Sequence, residues 1–417
     1  MNTDRVHPTT VFSAMLLVAG ACVGGGMLAL PLATGLSGFF PSLCVMALCW
    51  LAMTATGLLL VESSLWLEEG AHYISMSQAL LGKYAKGISW ALYLFIGYTS
   101  LIAYTAGGGV EMARFIGWIT GMTFSKLTGC LLFFVLFGVV IDFGAKVVGR
   151  VNAVLFTGMI VSYFALVSSG ITHVSLDLLS HEKWHYSYMA IPILLTSFSF
   201  QTMAPSLTPY LKRNVNALRI AIIGGTTLAF IIYIFWLLLI LGSIPPEGPN
   251  SLASAIANGE PATYFIHSSA AGQWFSMLAV FFTFFAVVTS FLGVGLGLFD
   301  FLADGLHISK KGAGKWFLGS LIALPTIFFA VYFEQVFLYA MDLSGGFGDA
   351  ILSGIIPVLM VWAGRYYQGR KGSRLVPGGK VALIMILLCF VASLAIECLV
   401  QIGWISSIFD VDEKYLV

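Results

Sequence analysis

The chain has 417 residues, of which 59% are hydrophobic and only 9% charged, with a formal net charge of +1 and a mean hydropathy of +0.94. Water-soluble domains carry about 25% charged residues, so this composition excludes a soluble globular enzyme. The charges are spread through short polar segments, so the net charge carries no sign of a nucleic-acid partner.

A membrane-spanning helix needs about 20 apolar residues. Eleven such stretches are predicted, at about 12–35, 41–65, 87–113, 126–143, 148–170, 189–211, 219–242, 272–299, 314–333, 336–364 and 379–403. They use most of the chain and leave no room for a separate catalytic domain. The fold class expected is an all-α polytopic membrane protein. Residues 1–11 are polar and precede an apolar core, as in a signal peptide. The apolar stretch that follows is longer than a signal-peptide core, so a resident first span is predicted instead.

The first span contains "VAGACVGGGMLALP", residues 18–31, with Gly20, Gly24, Gly25 and Gly26 within two turns and Pro31 beyond. Gly20 and Gly24 form a GxxxG pair that by itself is explained by close helix packing. The sixth span, "YMAIPILLTSFSFQTMAPSLTPYL" (188–211), is also interrupted: Ser197, Ser199, Gln201 and Thr202 break the apolar run, and Pro205 and Pro209 follow. Proline removes a donor inside a helix but suits the first turn of a new one. Breaks in lipid are tolerated only where protein or water re-satisfies the backbone. Two broken segments five spans apart predict inverted repeats over 12–170 and 189–364 with a transport site between them, and 379–403 as an additional helix. The whole chain is then one membrane domain.

Longer connections are predicted at 66–86, where "HYISMSQALLGKYAK" reads as an amphipathic helix on the membrane face, at 171–188, and at the proline-rich 243–271. With the N-terminus inside, sixteen of the twenty Lys and Arg residues fall on inner segments. Four, Arg114, Lys126, Lys183 and Lys414, fall on outer ones. The positive-inside rule then predicts a cytoplasmic N-terminus and an external C-terminus. The six cysteines (Cys22, Cys44, Cys49, Cys130, Cys389, Cys398) lie in predicted spans or at their edges without metal-ligand spacing and read as packing residues. No metal or cofactor is implied.

Several stretches carry a family resemblance. "GACVGGGMLALP", "SFSFQTMAPSL", "TSFLGVGLGLFDFLADGL" (289–306), "FLYAMDLSGGFGDAILSGIIPVLM" (337–360) and "PGGK" (377–380) resemble the hydroxy and aromatic amino acid permeases of bacteria, in particular the tyrosine- and tryptophan-specific group. The resemblance implies a five-plus-five inverted-repeat fold in the bacterial inner membrane and import of an aromatic amino acid with protons. One departure matters. Relatives carry a histidine in span six where this chain has Gln201, and glutamine cannot titrate near neutral pH. A role for that histidine does not transfer.

An amino acid is a zwitterion, and stripping water from either charge is costly. Unwinding around Gly20, Ala21, Cys22 and Gly24 leaves a half-helix starting near Gly25, Gly26 and Met27, whose free N–H groups suit the carboxylate. Carbonyls near Gly20, Ala21 and from Ser197 and Phe198 to Phe200 suit the ammonium. Tyr98, Tyr104, Phe198 and Phe200 are candidate ring walls, each also explicable as core packing. Ser199 or Gln201 is a candidate partner for a phenol, with tyrosine the first choice of substrate and tryptophan the second.

For coupling, ionisable groups within spans are functional candidates. Asp342 and Asp349 lie seven residues apart, nearly on one face and about 10 Å apart if the helix is continuous. Both also read as acids of a locally opened, wet segment. Glu397 reads as structural. Thr289 and Ser290 resemble the hydroxyl positions that bind sodium in sodium-coupled members of the wider group, and read equally as interhelical hydrogen-bonding residues. A membrane-embedded enzyme is the rival class, but no HExxH, GxSxG or Cys/His cluster is present.

Overall fold

The structure is a computed structural model that describes residues 6–68, 71–248, 250–258, 262, 272–333 and 335–410. Arg5 and Lys414, both counted in the charge asymmetry, lie outside these residues, as does most of 259–271. The described residues are helical, with no strand among them.

The first predicted span is two helices, α1 (Pro8–Cys22) and α2 (Gly25–Thr34), which meet at an angle of 53°. All ten residues of α2 are buried. The turn to α3 (Phe39–Leu65) passes through Gly38 at φ +85°, where a Cβ would lie 1.8 Å from the His181 carbonyl oxygen. Only glycine fits that approach. The segment predicted as amphipathic contains α4 (Tyr73–Leu81), which buries Tyr73, Met76, Ser77 and Leu80 against the bundle.

The long α5 (Lys83–Thr120) ends at Gly121, in the left-handed conformation typical of a helix C-terminus. It packs closely on α6 (Lys126–Asp142): a Cβ on Gly109 would fall 2.4 Å from Cys130 Sγ, and one on Gly129 would fall 2.1 Å from the Gly109 carbonyl. Small residues on both helices allow this approach. After α7 (Ala145–Gly170) come the short α8 (Leu176–Leu179) and a 3₁₀ turn at Trp184–Ala190.

The sixth predicted span is again discontinuous. It consists of α9 (Ile191–Ser197), a 3₁₀ turn at Gln201–Met203 and α10 (Ala204–Tyr210). Pro192 and Pro205 occupy the first turns of α9 and α10, where the missing N–H costs nothing. The chain continues through α11 (Val215–Leu241), α12 (Leu252–Ala257), α13 (Gly272–Gly305) and α14 (Gly312–Tyr332). The tenth predicted span is α15 (Val336–Leu343), a π-helix at Ser344–Ile355, α16 (Ile356–Trp362) and a π-turn at Ala363–Tyr367. Finally α17 (Gly379–Gln401) packs outside it.

Among the described residues eight helices are long and apolar enough to cross a bilayer, or nine when the bent α1–α2 pair is one span. The two other predicted spans are present as shorter pieces: α6 has 17 residues, and 189–211 is divided at its break.

Candidate functional site

The break in α1–α2 is a change of hydrogen-bonding partner. The Val23 N–H still returns to the Ala19 carbonyl. The Gly25 N–H, which an unbroken helix would send to Ala21, donates instead to Ser290 Oγ on α13 at 2.8 Å. Glycine is required on both sides of that contact: a Cβ on Gly24 would lie 2.3 Å from Ser290 Oγ, and one on Gly25 would lie 2.3 Å from the Tyr104 ring.

The break after α9 is held from behind by Gln201. Its Oε1 accepts the Phe200 N–H at 2.9 Å, and its Nε2 donates to the Met53 carbonyl at 3.0 Å and to Thr56 Oγ1 at 3.2 Å, both on α3. The side chain is fully buried and turned to α3. A single hydroxyl joins the two breaks. Tyr233 on α11 lies with its Oη 2.7 Å from the Cys22 carbonyl and 2.8 Å from that of Ser197, and its one proton is shared between them. One turn on, Trp236 Nε1 donates to the Met27 carbonyl at 2.9 Å. Neither residue was among the predicted site residues. Their signal in the sequence is a Tyr and a Trp three residues apart inside an apolar span, where the polar tip of a buried Tyr or Trp needs a partner.

Between the breaks and α5, α7 and α13 lies a cavity of about 690 Å³. Of the predicted residues, Gly20, Ala21, Tyr104, Ser199, Phe200, Thr289 and Ser290 line it. So do Thr202, read from the sequence only as part of the break, and several residues the sequence reading did not name, notably Tyr93, Asn152 and Phe156. Asn152 Oδ1 is buried without a hydrogen-bond partner.

Cys22, Gly24, Gly25, Gly26, Met27 and Ser197 lie immediately behind this wall, at or next to the breaks. Phe198 packs edge-on to Tyr233, with ring centroids 5.1 Å apart. Tyr98 is turned elsewhere, its hydroxyl donating to the Leu321 carbonyl on α14 at 3.0 Å. The lining residues come from the second half of α1, from the first halves of α7 and, Tyr104 apart, of α5, and from the second half of α13, and none comes from the buried α2.

The two acids of the tenth span part company. Asp349 is 1% exposed and sits one hydroxyl behind the cavity wall: Ser199 Oγ donates to its Oδ1 at 2.5 Å, and Ser353 Oγ donates to the same oxygen at 2.8 Å. Asp342 instead shares a narrow crevice with Glu397, Tyr188 and Ser406. The shared-face expectation assumed α-helical winding. The π-helix from Ser344 turns more widely, with i→i+5 bonding, so seven residues no longer make two full turns. Thr289 Oγ1 is spent on its own helix, donating to the Phe285 and Ala286 carbonyls at 2.9 and 3.1 Å.

A multi-span helical bundle with two broken helices flanking a cavity is the architecture of a membrane carrier. Comparison with solved structures agrees: the chain aligns with MhsT, crystallised in complex with L-phenylalanine, at a TM-score of 0.64 over 93% of this chain and 97% of that one, with 16% identity. The likeness establishes the fold. The family model for the tryptophan/tyrosine permease family matches residues 7–396, and the chain belongs to that family. Among similar proteins are a tryptophan-specific transport protein of Pseudomonas aeruginosa, 28% identical over 97% of this chain and 98% of its own length, and tyrosine-specific transport system 1 of Haemophilus influenzae, 31% identical over 94% and 97%.

Proposed function

We propose that this chain is a secondary active carrier that imports an aromatic amino acid, tyrosine first and tryptophan second, by proton symport with alternating access. The observation that carries the reading is the pairing of the breaks: two interrupted helices, tied by one tyrosine hydroxyl, border one cavity with aromatic walls. In this reading α6 and the α9–α10 segment also cross the bilayer and make eleven spans, with repeats over 12–170 and 189–364 and α17 outside them. The charge asymmetry supports a cytoplasmic N-terminus in a bacterial inner membrane and an external C-terminus. The cavity then opens inward.

The substrate carboxylate takes the amide end of α2 at Gly25, Gly26 and Met27, displacing Ser290 Oγ from the Gly25 N–H. The ammonium takes carbonyls freed near Gly20, Ala21 and Phe198–Phe200. The ring lies among Tyr93, Tyr104, Phe156 and Phe200. Burying an aromatic side chain removes about 150–250 Å² from water, worth about 4–6 kcal/mol at 25 cal/mol per Å² before ordering costs.

A phenol or indole donor is offered Ser199 and the unpartnered Asn152 Oδ1; Gln201 is already committed to the break. Asp349, reached through Ser199, is the proposed proton carrier. Sodium is the alternative coupling ion, with the oxygens of Thr289 and Ser290 as its candidate ligands. Purified protein in liposomes is expected to concentrate labelled tyrosine when the outside is acidified, and to stop when the proton gradient is collapsed. Strict sodium dependence would refute the coupling, and failure of tyrosine and tryptophan to compete for uptake would refute the substrate class.

A further inference from the structure

A second cavity, of about 260 Å³, lies between the end of α3 and the segment that follows α16. Glu62, Trp66, Arg365, Arg370, Lys371 and Arg374 are among the seven residues that line it. Its one carboxylate is already saturated. Glu62, 1% exposed, accepts from Arg365 Nε and Nη2 at 2.7 Å each and from the Leu375 N–H at 2.8 Å. This fixes the Arg365 guanidinium in a planar fork with its side chain only 4% exposed, and leaves Nη1 buried with no partner. A buried, unpartnered charged donor is costly unless a ligand completes it.

Around that donor stand three further cations on an exposed loop, so the lining carries four positive charges against one negative. The loop is drawn over the indole of Trp66: a Cβ would meet that ring at 2.2 Å from Gly364 and at 3.1 Å from Gly372. Tyr366 lies beneath Lys380, whose Nζ is 5.0 Å from the ring centroid, and Tyr367 is exposed. Trp and Tyr beside Lys and Arg mark the depth of lipid headgroups. A bidentate-capable guanidinium with flanking cations is the chemistry that recognises phosphate.

We propose that this cavity is a binding site for a phosphate-bearing anion, seated on Arg365 and enclosed by Arg370, Lys371 and Arg374, and that the anion is an anionic phospholipid headgroup. The site needs no substrate and is independent of the transport reading above, so each is tested without the other.

The test uses full-length protein in an uncharged detergent, with thermal denaturation followed during titration at constant ionic strength. The titrants are dioctanoyl phosphatidylglycerol, dioctanoyl phosphatidylcholine and sodium phosphate. Ligand that binds only the folded state raises its stability as the logarithm of its concentration above Kd, so the concentration at which the rise begins reports the affinity. Phosphatidylglycerol is expected to stabilise the protein, with the concentration at which stabilisation begins raised at least tenfold in the Arg370→Gln/Lys371→Gln/Arg374→Gln variant. These three side chains are exposed, and the Glu62–Arg365 pair is untouched in that variant. Stabilisation by sodium phosphate as well, lost in the same variant, would support the site and assign its anion to the soluble phase. Equal stabilisation by phosphatidylcholine, no stabilisation by any titrant, or an unchanged response in the variant would overturn it.

Discussion

Tyr233→Phe isolates the contact that links the two breaks. The ring is fully buried, and its packing against Phe198 survives the substitution. What is lost is one hydroxyl placed between the carbonyls of Cys22 and Ser197. A neutral hydrogen bond contributes about 0.5–1.5 kcal/mol net, and a buried group left without its partner costs about 1–3 kcal/mol. One proton serves two acceptors here, so the loss is set at about 1–3 kcal/mol rather than twice that. Part of the cost falls on the conformation in which the breaks stand side by side, and each 1.4 kcal/mol is a tenfold change in a conformational equilibrium. SDS titration of the purified variant measures the stability term, and initial rates of tyrosine uptake in liposomes measure the conformational one. The expected result is a stability loss in that range with uptake reduced about fivefold or more. A variant with wild-type stability and uptake within twofold would refute the idea that this hydroxyl holds the breaks together.

Three further outcomes follow from the same geometry. Gly25→Val drives a side chain into the Tyr104 ring and across the Gly25 amide; uptake is expected to vanish while the variant still elutes as folded protein, and normal uptake would remove the carboxylate from the α2 terminus. Asp349→Asn keeps the shape beside Ser199 and Ser353 but removes the titrating group; concentrative uptake is expected to fall much more than exchange of internal for external substrate, and equal retention of both would take Asp349 out of coupling. Ser290→Ala frees the Gly25 N–H; if the substrate carboxylate takes that donor, substrate binding measured by tryptophan fluorescence should strengthen about 2- to 12-fold, the worth of 0.5–1.5 kcal/mol of competing hydrogen bond, and a large loss of affinity would show that the serine helps hold the substrate instead.

The breaks were legible because their residue types have local consequences. Four glycines in two turns, and prolines placed where a new helix starts, weaken an apolar helix whatever surrounds it. What fills the breaks was not legible, because it depends on residues far away in sequence. Tyr233 lies 211 residues from Cys22, and Ser290 lies 265 residues from Gly25. Gln201 shows the limit of reading a polar residue as a ligand contact: a buried amide in a broken helix is as useful to the backbone as to a substrate, and here the backbone has it. The separation of Asp342 from Asp349 depended on a π-helix, which leaves no simple periodic trace. Asn152 and Phe156 were missed because α7 reads as an ordinary span until a neighbour places the cavity against it.

The hydrogen bonds around the breaks have a direction. Most that secure them come from behind: Gln201 ties the second break to α3, Tyr233 and Trp236 tie both to α11, and Thr196 Oγ1 donates to the Met341 carbonyl in the segment that carries Asp349. From the front, α5 and α7 offer Tyr93, Tyr104, Phe156, the amide of Asn152 and the bare backbone at Gly97 and Gly149. A polar contact that crosses from the front is Ser290 to Gly25. A break braced on one face can stay open without its ligand, because few backbone groups then depend on the ligand for partners. A front face of ring surfaces and glycine can slide past the braced side without breaking a ladder of hydrogen bonds. Polar stitching on both faces would fix the two halves in one arrangement, whereas stitching mainly on one face leaves the Ser290 hydroxyl as the contact that the proposed substrate carboxylate would replace.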